Sequence, residues 1–228
     1  MPTAARPTLH PRKTPVQARS SVTVDAILDA TIQVLLTSGK ERLTTTQVAR
    51  RAGVSVGTLY QYFPNKSALL QACLRRHMEE IRQAVERACE QNRGAGLLEM
   101  SRALIERFLA AKMRSVKTSA VLYAVSSDVE GAAIAKSNST RGVHAIAALF
   151  ATAKEGLTKD PEVVASVVQA ALNGISRRIL ESKSPEREAE ILREELITLV
   201  HAYLRTCAGE RLAVSGQGNG AGPVYRES

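Results

Sequence analysis

The sequence predicts an all-α protein, built from a small N-terminal three-helix domain and a larger C-terminal helical domain. Along most of the 228 residues, apolar side chains recur every three or four positions, which is the spacing of one helix face. Aromatic residues make up only 4% of the chain and tryptophan is absent, so Leu, Ile, Val and Ala must form the core. An alanine-rich composition of this kind favours helices, and no pattern indicates a strand of any consequence.

The first helix is predicted at residues 18–38. Val24, Ile27 and Leu28 begin an apolar series at helical spacing, and Gly39 follows it as a C-terminal stop. Residues 1–17 before it contain four prolines and several basic residues, so we expect a flexible basic arm there.

Two short helices joined by a tight turn come next. Thr44 and Gln47 have the spacing of a capping box, in which each side chain satisfies a free backbone amide at the helix start. Gly53 ends this helix after about two turns, Ser55 caps the next one, and Pro64 stops it. The pair, joined through the segment AGVS, predicts a helix-turn-helix.

Capping and stop signals divide the rest of the chain into further helices. We expect them at 65–91, 97–109, 116–125, 134–153, 161–180 and 184–207, with a weaker capping match at 127–130 and a helix-weakening Gly142. Asp160-Pro161-Glu162 is a strong start signal, and Ser184-Pro185-Glu186 repeats it. The predicted domain boundaries are 18–66 for the helix-turn-helix domain, 67–208 for the larger domain and 209–228 for a Gly-rich disordered tail.

The positive charge of the chain is concentrated at its start. The net charge is +9, and the first 66 residues carry nine Lys or Arg against three Asp or Glu. This imbalance favours a polyanionic partner, although a solvated basic tail would give the same composition. No apolar run approaches the roughly 20 residues of a membrane span, and the three cysteines form no CxxC pair. We therefore expect a cytoplasmic protein without membrane contact, disulfide framework or zinc site.

Rings and polar groups are crowded into the second short helix. Helical spacing turns Leu59 and Phe63 inward and leaves Tyr60, Gln61 and Tyr62 on the outer side. In a DNA major groove, tyrosine hydroxyls can donate to phosphates and glutamine can pair with adenine. The alternative for Tyr62 is that it only covers apolar surface.

Small residues at the start of the same helix leave room for a close approach. Gly57 costs about 1 kcal/mol relative to alanine in a helix, and proximity to DNA is a sufficient reason to keep it. Lys66 begins the following helix, where free amides already favour a phosphate. The candidate DNA contacts are Thr44, Thr46, Ser55, Gly57, Thr58, Tyr60, Gln61, Tyr62 and Lys66.

The segment TTTQVARRAGVSVGTLYQYFPNKSALL closely resembles the DNA-binding segment of TetR-family transcriptional regulators. The match covers residues from about 20 to 75, and it rests on the threonine run, AGVS, GTLYQYF and Asn-Lys-x-x-Leu. The resemblance implies a homodimer whose N-terminal domain binds DNA and whose C-terminal domain binds a small molecule and releases the DNA. By position, the nine candidates inherit the DNA-contact role. Val56 departs from the basic or polar residue of many members, which puts one base or phosphate contact in doubt.

The last two helices are apolar over more than one stripe, which suggests a four-helix bundle across a two-fold axis. An ordinary monomeric core would show a similar pattern. An effector pocket needs apolar walls with a few placed polar groups. The candidates are Phe108, Tyr123, His144, Phe150 and Asn173, although each of them taken alone fits the core or the surface better than a ligand contact.

The sequence thus predicts a DNA-binding transcriptional regulator, most simply a repressor that an unknown small-molecule effector releases from a palindromic operator. The alternative is a DNA-binding interaction protein of the same fold without a ligand. A third class, an enzyme, has no support from a carboxylate pair, Ser-His set, phosphate loop or metal cluster. We expect no cofactor and no catalytic residues.

Overall fold

The structure, a computed structural model, describes residues 18–126 and 129–209. The predicted basic arm at 1–17 and the predicted tail from 210 onward lie outside the described residues, as do Ser127 and its neighbour in the weaker capping match.

The described chain forms nine helices, which confirms the all-α fold class. They are α1 Ala18–Arg42, α2 Thr45–Ala52, α3 Val56–Tyr62, α4 Lys66–Gln91, α5 Leu97–Met113, α6 Val116–Ser126, α7 Val129–Phe150, α8 Pro161–Leu180 and α9 Pro185–Arg205. The β-structure in these residues is one isolated antiparallel bridge between Leu157 and Ala208.

An N-terminal core joins α1, α2, α3 and the first half of α4. Leu59 and Phe63 are almost completely buried in it, as the helical spacing predicted. The same core also takes in Leu122 and Val125 from α6, so one helix of the larger domain is built into the smaller one.

The second core belongs to α5, α7, α8, α9 and the second half of α4. Its largest fully buried side chains include Phe150, Met100, Leu104 and Ile105. The long helix α4 contributes residues to both cores and therefore connects them.

Helix ends follow the capping chemistry with several differences, one of which is that α5 runs to Met113 instead of 109. Gly39 has φ 74° and ψ 167°, so it interrupts α1 as predicted, but helical geometry resumes as far as Arg42. Helix α7 begins at Val129 instead of 134. At α9, Ser184 occupies the capping position without a side-chain hydrogen bond, whereas Asp160 does accept one from the backbone amide of Glu162 at the start of α8.

The predicted weakness at Gly142 is corrected. Helix α7 continues through Gly142, where a Cβ would come within 2.7 Å of the Gln169 side-chain oxygen, so the glycine makes room for a neighbouring helix. Gly209 still donates its amide to the carbonyl of Gly156, which places it in the ordered part of the chain.

The segment Ser20–Arg42 has the length and composition of a membrane span, which the sequence prediction did not anticipate. Core helices of globular proteins pass the same test. Here Ile27, Thr31 and Leu35 are almost fully buried, and Ile27 and Leu35 belong to the N-terminal core.

Candidate nucleic-acid interface and ligand cavity

The capping box predicted at the start of α2 is present. The Gln47 amide donates to Thr44 Oγ1 at 3.2 Å, and the Thr44 amide donates to Gln47 Oε1 at 3.0 Å. Gly53 ends α2 at φ 69°, a conformation that a β-carbon strains, so the turn into α3 is well defined. Thr44 and Thr46 are both exposed at the start of α2.

Helix α3 begins with a second cap. The Thr58 amide donates to Ser55 Oγ at 2.9 Å, and the two hydroxyls lie 2.9 Å apart. Ser55 and Gly57 are exposed and Thr58 is half-buried. A Cβ at Gly57 would meet only Ser55 Oγ, at an ordinary contact distance of 3.7 Å. Nothing among the described residues therefore requires glycine at this position.

Tyr60 and Gln61 face solvent, as helical spacing predicted. Tyr60 is 41% exposed, and its hydroxyl lies 3.1 Å from Thr45 Oγ1. This hydrogen bond ties the start of α2 to the middle of α3, so Thr45 holds Tyr60 in place. No sequence pattern indicated this role for Thr45, since the bond joins residues 15 positions apart.

The outward orientation predicted for Tyr62 is wrong. Its ring is half-buried and packs against the N-terminal core, and its hydroxyl lies 3.1 Å from Ser20 Oγ on α1. The alternative assigned to Tyr62, that of covering apolar surface, describes this placement. A contact between its hydroxyl and DNA stays a prediction.

Lys66 is half-buried at the start of α4. Its ammonium donates to the Glu41 carbonyl at 3.2 Å, and that carbonyl belongs to the last turn of α1. The charge therefore sits between the negative end of one helix and the positive end of another. An ammonium has three N–H donors, and this contact uses one of them.

The larger domain contains a partly open cavity of about 420 Å³ between α4, α5, α6, α7 and α8. Its volume falls within the range of roughly 300–1,000 Å³ found for small-molecule sites. The walls combine apolar side chains such as Ile81, Val85 and Leu172 with the amides of Asn138 and Gln169. Among the described residues, no group of three or more His, Cys, Asp or Glu is arranged to hold a metal ion.

Three of the five predicted pocket residues line this cavity, namely Phe108, Tyr123 and Asn173. The other two are placed elsewhere. Phe150 is fully buried in the second core, and His144 is exposed, with Nδ1 2.9 Å from a carboxylate oxygen of Glu162. Residue type alone could not show which of the five residues line the cavity, because this depends on the direction in which each side chain leaves its helix.

The cavity wall also carries cations that the sequence did not single out. Arg82 is paired with Glu79 and Glu86, and the Arg177 guanidinium contacts Glu181 at 3.0 Å. Lys112 is half-buried, with Nζ 5.8 Å from the centre of the Phe108 ring. Burial lowers the pKa of Lys112, because the ammonium loses part of its hydration.

Two capped helices across a glycine turn, with a polar exposed face on the second, define the class of helix-turn-helix proteins. Two family models match the chain. One is described as bacterial regulatory proteins of the tetR family and matches residues 27–73; the other, tetracyclin repressor-like C-terminal domain, matches 97–204. The chain belongs to the TetR family of transcriptional regulators.

Curated relatives match only the N-terminal part. The transcriptional repressor KstR of Mycolicibacterium smegmatis is 47% identical over 62 residues, which is 27% of this chain and 30% of KstR. The regulator BetI of Escherichia coli is 41% identical over 59 residues, or 26% of this chain and 30% of BetI. The match therefore spans less than a third of these relatives.

Solved structures cover more of the chain. A transcriptional regulator from Cytophaga hutchinsonii superposes with a TM-score of 0.65 at 16% identity, over 81% of this chain and 98% of that one. A complex of SmeT with triclosan gives a TM-score of 0.63 at 20% identity, over 89% and 99%. At these identities the likeness establishes the fold.

Proposed function

We propose that the protein is a cytoplasmic, homodimeric repressor that binds a palindromic operator through α2 and α3 and leaves it when a small molecule fills the cavity. In this proposal residues 18–66 bind DNA, and residues 67–208 hold the ligand and form the dimer interface. The observation that carries the DNA-binding role is Gly57, because the fold itself gives no reason for a glycine there.

The surface around Gly57 has the composition that a major groove requires. Thr58, Tyr60 and Gln61 share one short helix, and the Ser55 cap fixes its N-terminal turn, which is the part of a recognition helix closest to the bases. Nine basic residues against three acidic ones in the first 66 supply attraction to phosphates. The cap and Lys66 position the helix, while Gln61 is the best candidate for reading a base.

Dimerisation through α8 and α9 is supported by their exposed apolar side chains. Val163 and Val167 on α8 are 55% and 44% exposed, and Ile191 and Leu199 on α9 are 54% and 56% exposed. The opposite faces of the same helices lie in the second core. A second copy of the chain would cover the outer faces and place two recognition helices on one DNA duplex.

Helix α6 supports communication between the cavity and the DNA-binding surface. Tyr123 and Ser126 line the cavity, whereas Leu122 and Val125 of the same helix belong to the N-terminal core. A ligand that displaces Tyr123 would therefore move side chains packed against α1 and α4. Such a ligand shifts the protein only if it binds one arrangement better than the other.

Fluorescence anisotropy with the DNA upstream of the protein's own gene tests the proposal. We expect binding to this fragment at about 150 mM salt, and weaker binding to a shuffled fragment of equal length. Binding of equal strength to both fragments would overturn the specific role.

A matched pair of variants tests the assignment of the surface. Gln61→Ala removes an exposed amide from α3 and is expected to weaken operator binding about 5- to 150-fold, the range of one bidentate base contact. Gln91→Ala removes an amide that is also exposed, at the far end of α4, and is expected to leave operator binding unchanged. Equal effects of the two variants would contradict the assignment.

A further inference from the structure

We propose that the cavity selects an amphipathic organic acid, whose carboxylate pairs with Lys112 and whose apolar body carries one hydrogen-bonding group for the Gln169 amide. This inference rests on the proposed ligand-dependent release from DNA and names the chemical class of the ligand.

Lys112 is distinguished from the other cations of the cavity by its neighbours. Arg82 is held by Glu79 and Glu86, and Arg177 by Glu181, so their charges are already compensated. Within the described part of the chain, no carboxylate forms an ion pair with Lys112. An ammonium in partly dehydrated surroundings gains more from an anion than one in water does, because the local dielectric constant is lower.

The Lys112 ammonium lies beside an aromatic ring of its own helix. Phe108 lies one helical turn before it on α5, and the two side chains approach to 5.8 Å between Nζ and the ring centre. Ile81, Val85 and Leu172 line the same cavity. A carboxylate at Lys112 would thus have an apolar surface beside it for a hydrocarbon or aromatic body.

Gln169 supplies the second recognition point. Its Oε1 is buried without a hydrogen-bond partner in the described structure, while Nε2 lies 3.4 Å from Ser139 Oγ. Turning the amide by 180° would exchange the two atoms and still leave one without a partner. A buried polar atom of this kind is costly, so a ligand hydroxyl or amide that pairs with it gains affinity.

Gly142 gives this amide its space. A Cβ at position 142 would lie 2.7 Å from Oε1 and 2.8 Å from Nε2 of Gln169, and both residues line the cavity. The glycine is therefore matched to the glutamine across two helices. Because the clashing atoms end a flexible side chain, alanine at 142 would displace the amide without breaking α7.

Isothermal titration calorimetry with acids and their alcohols tests the carboxylate. The probes are decanoate against decan-1-ol and 4-phenylbutyrate against 4-phenylbutan-1-ol, so both an aliphatic and an aromatic body are sampled. We expect at least one acid to bind about tenfold more tightly than its alcohol, the ratio expected for a charge-assisted contact. Lys112→Met should remove that preference, whereas Lys154→Met, which alters an exposed lysine outside the cavity, should keep it.

The hydroxylated acids 10-hydroxydecanoate and 4-(4-hydroxyphenyl)butyrate test Gln169. We expect one of them to bind more tightly than its parent acid, and Gln169→Met and Gly142→Ala to remove the difference. Circular dichroism of each variant checks that the helices remain.

The outcomes separate this inference from the function on which it rests. Alcohols that bind as well as acids, with Lys112→Met changing neither, would overturn the acid class. Absence of binding by all probes would overturn it as well. In both cases operator binding by the free protein, measured in parallel, would still stand, whereas loss of specific operator binding would refute the proposed function itself.

Discussion

Substitution of Gly57 by alanine separates the needs of the fold from those of DNA. The added Cβ would meet only Ser55 Oγ, at 3.7 Å, and Gly57 is not among the glycines with positive φ. Alanine is favoured over glycine in helices by up to about 1 kcal/mol, and near a helix start we expect roughly half of that. The melting temperature should therefore rise by about 1–2 °C in a chain of this size.

The same methyl group is expected to weaken DNA binding. It would stand on the exposed face of the first turn of α3, where the backbone comes closest to the bases in the proposed complex. Overpacking of a tight contact costs about 1–3 kcal/mol, which corresponds to roughly 5- to 150-fold in affinity. Thermal unfolding followed by circular dichroism and operator titration by anisotropy measure the two effects on one preparation. A fall in melting temperature, or unchanged operator affinity, would refute the reasoning.

Three further experiments test the buried side of α3, the titration of His77 and the proposed dimer interface. Phe63→Ala should lower the free energy of unfolding by about 3–5 kcal/mol in urea titrations, because Phe63 is 1% exposed. Tyr60→Phe should change the free energy of unfolding by less than about 1 kcal/mol and mainly weaken operator binding. Equal losses of stability would contradict the assignment of Phe63 to the buried side and Tyr60 to the exposed side. The pKa of His77 is lowered from 6.5 to about 4, by burial first and by two neighbouring cations second. Below pH 6.5 the unfolded state binds a proton at His77 more readily than the folded state does, so the free energy of unfolding should fall between pH 6.5 and about pH 4. This fall should be smaller in His77→Gln. If stability depends on pH in the same way in both proteins, His77 is not the cause. Leu199→Glu should be a monomer in light scattering and bind the operator more weakly. The control Leu36→Glu, which changes an exposed leucine on α1, should remain a dimer. A dimeric Leu199→Glu would show that the interface lies elsewhere.

Local chemistry made the helix-turn-helix predictable. The Thr44 capping box, the Gly53 turn and the Ser55 cap each involve residues within a few positions of one another, so their spacing in the sequence contains the geometry. The inward direction of Leu59 and Phe63 followed from helical periodicity alone. All of these features were placed correctly.

Features that depend on helix packing were not predictable in this way. Tyr62 lies on the outer arc of an isolated helix, but Ser20 of α1 reaches its hydroxyl from 42 residues away. The sequence indicated Gly142 as a weak point of α7. The glycine is explained by the Gln169 side chain of another helix, which leaves no room for a Cβ at position 142.

The residues that line the cavity could not be predicted for the same reason. Phe108 and Phe150 are both rings in apolar helices, yet only Phe108 lines the cavity, since the packing of α4, α5 and α7 decides which faces surround the space. The sequence did not indicate a binding role for Lys112, because a single lysine on a helix is usually solvated. Its neighbours became apparent only from the assembled helices.

Selection of bound sequences from a random pool of double-stranded DNA tests the central claim most directly. If two copies of α3 read DNA from a symmetric dimer, the enriched sites should be palindromic, with half-site centres separated by one helical turn of about 10 base pairs or a multiple of it. Leu199→Glu and Gln61→Ala should each reduce the enrichment. A pool that remains unenriched, or a single site without two-fold symmetry, would contradict the account.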